Sequence, residues 1–309
     1  MKKKLLLNFL FIILLLSVLE GIAFFAFSKE NSKFAKKAGK VFPDYKIETK
    51  YELLSDFIPN LNGKSAMIKN SDKSDILWFG CSFAIGANLK YEQTPCYKIS
   101  KLTNRSCINR AKSATGLQFM YYQFQNEDLK KIAPNVDFII YTFIPDHIFR
   151  LYNLQVNPLI PEFNLRYKLV HDYPVEVKPL FKPIYSSFLL KKLIDFYSLQ
   201  KVKKEFGNYK LFNRLIKGIF YHIKKDYPNA KFIIIRFPTL VDIEDLEPYI
   251  KNELLILKQT GVYVFDAKTF LTEQGIDYTD NIYWTQDGIH PSDKLWDIIL
   301  PEIVKEYSM

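Results

Sequence analysis

In Asp75-Ile76-Leu77-Trp78-Phe79-Gly80-Cys81-Ser82, residues 75–80 are a short apolar run ended by glycine. An unalternated run of that length, closed by a turn residue, reads as a strand buried on both faces. Working outward, residues 94–102 predict a short helix with Pro95 in its first turn. Residues 107–109 form a brief strand candidate and 117–132 a helix. Three further strong apolar runs follow at 136–143, 232–237 and 262–265, with helical patterns at 247–260 and 293–306. Strands separated by helices predict an α/β fold with a central parallel sheet covered on both faces. No repeat of 20–50 residues interrupts this pattern.

Residues 151–230 depart from it. Their first part is rich in proline (Pro158, Pro161, Pro174, Pro179, Pro183), which argues for irregular or edge structure. Their second part is helical and basic. The segment is expected to be an insertion packed over or beside the sheet, within one domain spanning 71–309.

The amino terminus has a different character. Met1-Lys2-Lys3-Lys4 precedes an apolar run from Leu5 to Phe27, broken by Asn8, Ser17, Glu20 and Gly21. Its 23 residues would reach about 34 Å as a helix, enough for a hydrocarbon core of about 30 Å. A basic start followed by an apolar core fits a cleaved signal or an anchor. The run exceeds a typical signal core of about 7–15 residues, which favours an uncleaved single-pass transmembrane helix over 1–28. Residues 29–70 then form a stalk, and the domain is expected outside the cytoplasm, on the periplasmic or extracellular face. Cleavage at Ala26-Phe27-Ser28 would instead release a secreted protein.

The net charge is +10, yet residues 231–309 hold 7 basic and 14 acidic side chains, so the excess lies in the first two-thirds. An export signal and the lack of a recognisable motif disfavour nucleic acid as the partner. Membrane surfaces and acidic envelope polymers remain. Three cysteines without C-x-x-C spacing suggest neither a disulfide scaffold nor zinc, and no metal or organic cofactor is called for. Cys81 reads as a small buried filler. Cys96 and Cys107 could pair in an oxidising compartment, with nothing in the sequence setting their distance.

Ligands of open α/β sheets bind beyond the carboxyl ends of the strands. Gly80 lets the chain turn tightly there and leaves the Ser82 hydroxyl exposed. A serine hydroxyl needs a base to become a nucleophile. The chain has four histidines, and His290 stands in Asp287-Gly288-Ile289-His290-Pro291 before the last helix. A carboxylate three residues from an imidazole can orient it toward a hydroxyl, giving the set Ser82, Asp287 and His290.

At these residues the sequence resembles the SGNH/GDSL hydrolase superfamily, in an exported, membrane-anchored bacterial branch. Residues 76–83 look like its first block, with Gly80-Cys81-Ser82 for Gly-Asp-Ser. Asp287 to Pro291 match its closing Asp-x-x-His-Pro, and residues 136–150 occupy the place of its third block. The likeness covers about 75–150 and 231–309. It implies a flavodoxin-like three-layer sandwich, with Ser82 as nucleophile, His290 as general base and Asp287 as its orienter. An oxyanion site would use the Ser82 N–H and a second-block N–H within Asn109-Arg110-Ala111-Lys112-Ser113-Ala114-Thr115-Gly116, from Ala111 or Ala114. The family's third-block Asn is absent from 141–150. His147 is the candidate donor there, and an ionised Asp146 would repel an oxyanion.

The activity implied is a serine esterase (a carboxylic ester hydrolase). It would remove O-acyl groups, acetyl foremost, from an envelope or extracellular polysaccharide. An O-acyltransferase on the same glycans would use the same serine. A non-catalytic, polysaccharide-binding envelope protein would keep the fold alone.

Overall fold

A computed structural model describes residues 65–66, 73–152, 167–170, 173–176, 210–239 and 247–309. The expected anchor over 1–28 and most of the stalk lie outside the described residues. Among the described residues no helix is long and apolar enough to cross a membrane.

The first apolar run is strand β1 (Asp75–Phe79). It pairs in parallel with β2 (Cys107–Asn109) on one side and β3 (Val136–Phe143) on the other. β3 continues in parallel to β6 (Lys231–Arg236), and β6 to β7 (Tyr263–Asp266). The five-stranded order is β2-β1-β3-β6-β7, all parallel. This is the doubly wound order with its switch point between β1 and β3, the place where such sheets open a crevice at their carboxyl edge. A separate antiparallel hairpin joins β4 (Tyr167–Val170) to β5 (Tyr173–Glu176).

Strand alternation divides the apolar side chains between two cores. Leu77 and Phe79 of β1 share one core with Ile139, Tyr141 and Phe143 of β3. Helices α3 (Leu117–Asn126), α6 (Lys210–Asp226) and α7 (Glu247–Gln259) cover that face. Ile76 and Trp78 face the other core, covered by α2 (Pro95–Thr103), α8 (Ala267–Glu273) and α9 (Asp293–Tyr307). Helices thus lie on both faces of a sheet whose β1 is fully buried from Ile76 on, which is why that run does not alternate in polarity.

Several elements differ from the sequence expectation. The helix expected over 117–132 is two, because Glu127 is extended and Asp128 caps a new turn, α4 (Leu129–Ile132). The Asp128 carboxylate accepts from the Lys131 N–H at 3.1 Å, competing with helix continuation. Within 151–230, α6 is a crossover helix of the main fold: Leu211, Leu215, Ile219 and Ile223 line its buried stripe. Residues 153–166 and 177–209 lie outside the described residues. At the domain end of the expected stalk, Ala66 is buried and forms a two-bond antiparallel bridge with Cys107 on the open edge of β2.

Candidate active site

Gly80 ends β1 at φ +144, a conformation that side chains disfavour. A Cβ there would stand 2.9 Å from Ala84 Cβ and 3.1 Å from the Thr142 carbonyl oxygen. The chain therefore turns hard against β3 and enters the short helix α1 (Ser82–Ile85), with Ser82 as its first residue. Cys81 is fully buried, whereas Ser82 is half-buried.

The loop before α9 brings the other groups to this turn. Its ends are pinned by the Thr285 N–H donating to the His290 carbonyl at 2.8 Å and by a bridge between Trp284 and Pro291. His290 Nε2 lies 2.8 Å from Ser82 Oγ, and His290 Nδ1 lies 2.5 Å from Asp287 Oδ2. The Phe83 ring packs beside the imidazole, with centroids 5.7 Å apart. Asp287 Oδ1 accepts from the N–H groups of Ile289 and His290 and from the Thr285 hydroxyl, at 2.8, 3.0 and 2.7 Å. Asn88 Nδ2 donates to Asp287 Oδ2 at 2.6 Å. Burial opposes the charged carboxylate. The hydrogen bond to His290, its charge and two backbone N–H groups outweigh that and hold Asp287 well below the usual carboxylate range. The arrangement can pass a proton from Ser82 to an imidazole whose tautomer is set from behind.

Solved structures similar to this chain include lipolytic and carbohydrate-esterase proteins. One is a lipolytic protein of the G-D-S-L family from Desulfitobacterium hafniense, with 11% identity, 75% of this chain and 99% of that chain covered, and a TM-score of 0.45. A family two carbohydrate esterase from Clostridium thermocellum has 12% identity, 79% and 67% coverage and a TM-score of 0.42. A catalytic mutant of an acetylxylan esterase from Geobacillus stearothermophilus has 10% identity, 78% and 97% coverage and a TM-score of 0.44. No family model and no curated protein matches the sequence. Likeness at that level leaves the chemistry to be argued from this chain's own residues.

The expected oxyanion donors are placed unevenly. The Ala111 N–H already donates to Asn109 Oδ1 at 3.0 Å, so this donor is taken. Asn109 Nδ2 in turn donates to the Ala84 carbonyl at 2.7 Å, tying the loop to α1. His147 has no exposed surface, and its Nδ1 is 2.7 Å from the Tyr141 hydroxyl inside the core. Burial, reinforced by the nearby Arg150 charge, drives its pKa well below the ordinary histidine value. Neutral, shut off from solvent and bonded to Tyr141, it is placed as a core histidine and not as an exposed donor. The Ser82 and Ala114 N–H groups make no hydrogen bond among the described residues. Ala114 has φ +58, the left-handed conformation that a glycine would adopt more readily. Asp146 is turned into an ion pair with Arg150, which removes the expected repulsion.

The sequence does not show the roles of Asn88 and Arg150, which act through contacts across the fold with Asp287 and Thr115, nor the turn of the Asn109 side chain onto the Ala111 N–H. Of the remaining histidines, His222 packs against Phe124 and Tyr121, and His171 lies outside the described residues. Cys96 and Cys107 are joined in a disulfide that staples α2 to β2. Among the described residues no group of three or more His, Cys, Asp or Glu is placed to hold a metal ion.

Proposed function

We propose that this chain is a serine esterase of the SGNH type that removes O-acyl groups, acetyl foremost, from an envelope or extracellular polysaccharide. The observation that carries this reading is the continuous relay from Ser82 Oγ through the His290 ring to Asp287. His290 Nε2 takes the Ser82 proton as Oγ attacks the ester carbonyl. Asp287 stabilises the imidazolium that forms and is not itself protonated. The N–H groups of Ser82 and Ala114 are the donors left to receive the oxyanion. The tetrahedral intermediate collapses as His290 protonates the departing sugar hydroxyl, leaving an acyl-Ser82. His290 then deprotonates a water, which releases the carboxylic acid and restores the hydroxyl.

The Cys96–Cys107 disulfide supports a site outside the cytoplasm, where such bonds persist. The basic, apolar residues 1–28 support an anchor holding it there.

The test is fluorophosphonate labelling of the full-length protein in detergent, as wild type, Ser82→Ala and His290→Ala, followed by acetate release from an acetylated polysaccharide. Labelling of wild type that both substitutions abolish, with acetate released by wild type alone, is the expected result. Folded wild type that takes no label at high probe concentration would overturn the reading.

A further inference from the structure

Arg150 holds a position that no step above uses. Its side chain retains only 14% of its exposure and leaves α5 (Asp146–Tyr152) toward the turn at Ser82. Nη1 donates to the Thr115 carbonyl at 2.5 Å, while Nε donates to Asp146 Oδ2 at 2.7 Å. The guanidinium also lies against the Cys81 thiol. It therefore touches the residue before Ser82 and the residue after Ala114, the two expected donors whose N–H groups make no hydrogen bond among the described residues.

The segment it grips is under tension. Ala114 is left-handed, a conformation rare for a residue with a Cβ. The turn around it is closed by the Thr115 hydroxyl and N–H, both donating to the Lys112 carbonyl, at 2.7 and 3.3 Å. It is tied to β1 through the Lys112 N–H on the Gly80 carbonyl at 3.1 Å. The bond from Arg150 restrains the Thr115 carbonyl and, through it, the turn that carries Ala114. Asp146, whose side chain is 51% exposed, holds the other edge of the guanidinium and fixes its direction.

We propose that Arg150 is a positioning residue of the oxyanion site, holding the Thr115 carbonyl so that the Ala114 N–H is presented to the intermediate, in a chain that lacks a third-block Asn. The assignment rests on the esterase reading of Ser82. Its cost on removal belongs to the transition state, so it should appear in kcat and not in KM.

The experiment compares full-length wild type, Arg150→Met and Arg150→Lys in p-nitrophenyl acetate hydrolysis and in the rate of fluorophosphonate labelling, with thermal melting as a fold control. Met keeps the length without the charge; Lys keeps the charge without the planar fork. Arg150→Met is expected to lose about 100-fold in kcat and in labelling rate, with KM within about threefold, the loss typical of one oxyanion donor. Arg150→Lys is expected about tenfold below wild type, with an unchanged acid limb in its pH profile. A folded Arg150→Met within threefold of wild type overturns the assignment. If Arg150→Met fails to fold, Arg150→Lys decides, and wild-type kcat in it overturns the assignment equally. Wild type that takes no label removes the esterase reading and this assignment together; labelled wild type with equally reactive variants removes this assignment alone.

Discussion

His290 Nε2 lies 2.8 Å from Ser82 Oγ across 208 residues of chain. Two ends of the fold meet in that contact: the carboxyl end of β1 and the loop that opens α9. The base is held by a carboxylate with five hydrogen-bonding partners, so the imidazole has little freedom to turn away.

The Asp287 interaction sets the first expectation. Asp287→Asn should lower kcat by about 10⁴, because the amide favours the wrong imidazole tautomer. Asn88→Ala removes one of several bonds to the same carboxylate and should cost roughly three- to tenfold. Steady-state kinetics on an aryl acetate checks both; equal losses in the two variants would contradict the hierarchy.

His147 makes stability depend on pH. Its folded-state pKa is depressed by burial and then by Arg150, while the unfolded value is about 6.5. Above about pH 6.5 both states are neutral and nothing changes. Below it the unfolded chain binds a proton that the folded chain refuses, so stability falls with pH, by at most about 1.4 kcal/mol per unit. Urea unfolding at pH 5 and pH 7.5 should show a shallower acid slope in His147→Gln, which can still accept from Tyr141.

Reduction of the Cys96–Cys107 bond should destabilise the domain. The bond closes a loop of 11 residues and contributes about 3 kcal/mol in the chain-entropy view. Cys96→Ser/Cys107→Ser should melt roughly 5–10 °C lower than wild type. A thermal melt with and without reductant measures this, and reductant should leave the double variant unchanged.

Gly80 tolerates no side chain. Gly80→Ala would set a Cβ 2.9 Å from Ala84 Cβ at a positive φ, at the point where the chain turns into Ser82. The variant should lose serine labelling and most of its stability, read by fluorophosphonate reaction and by melting. Gly275→Ala, with nothing within 4 Å of its Cβ, serves as the comparison: it should show only the backbone cost of φ +69 and keep its labelling.

The apolar runs at 76–79, 136–143 and 232–235 announced buried parallel strands because they have no polar face to expose. Asp287 and His290 were legible as a pair because three residues of a turn suffice to join them. The break at Asp128 was not legible from apolar spacing, since it came from a side chain competing for one N–H. The short helix α8 passed unnoticed for a related reason: its start depends on the Asp266 carboxylate accepting from the Thr269 N–H.

The sequence by itself determined the alternation of strands and helices and the pairing of Asp287 with His290, because periodicity and close spacing are properties of neighbouring residues. Only the tertiary structure decided which donors remain for an oxyanion. Ala111 is engaged by Asn109, His147 is turned to Tyr141, and Arg150 reaches the Thr115 carbonyl. Those outcomes depend on loop conformation and packing, which decide where each side chain turns even when its partner is near in sequence, and which alone bring Arg150 to Thr115 across 35 residues.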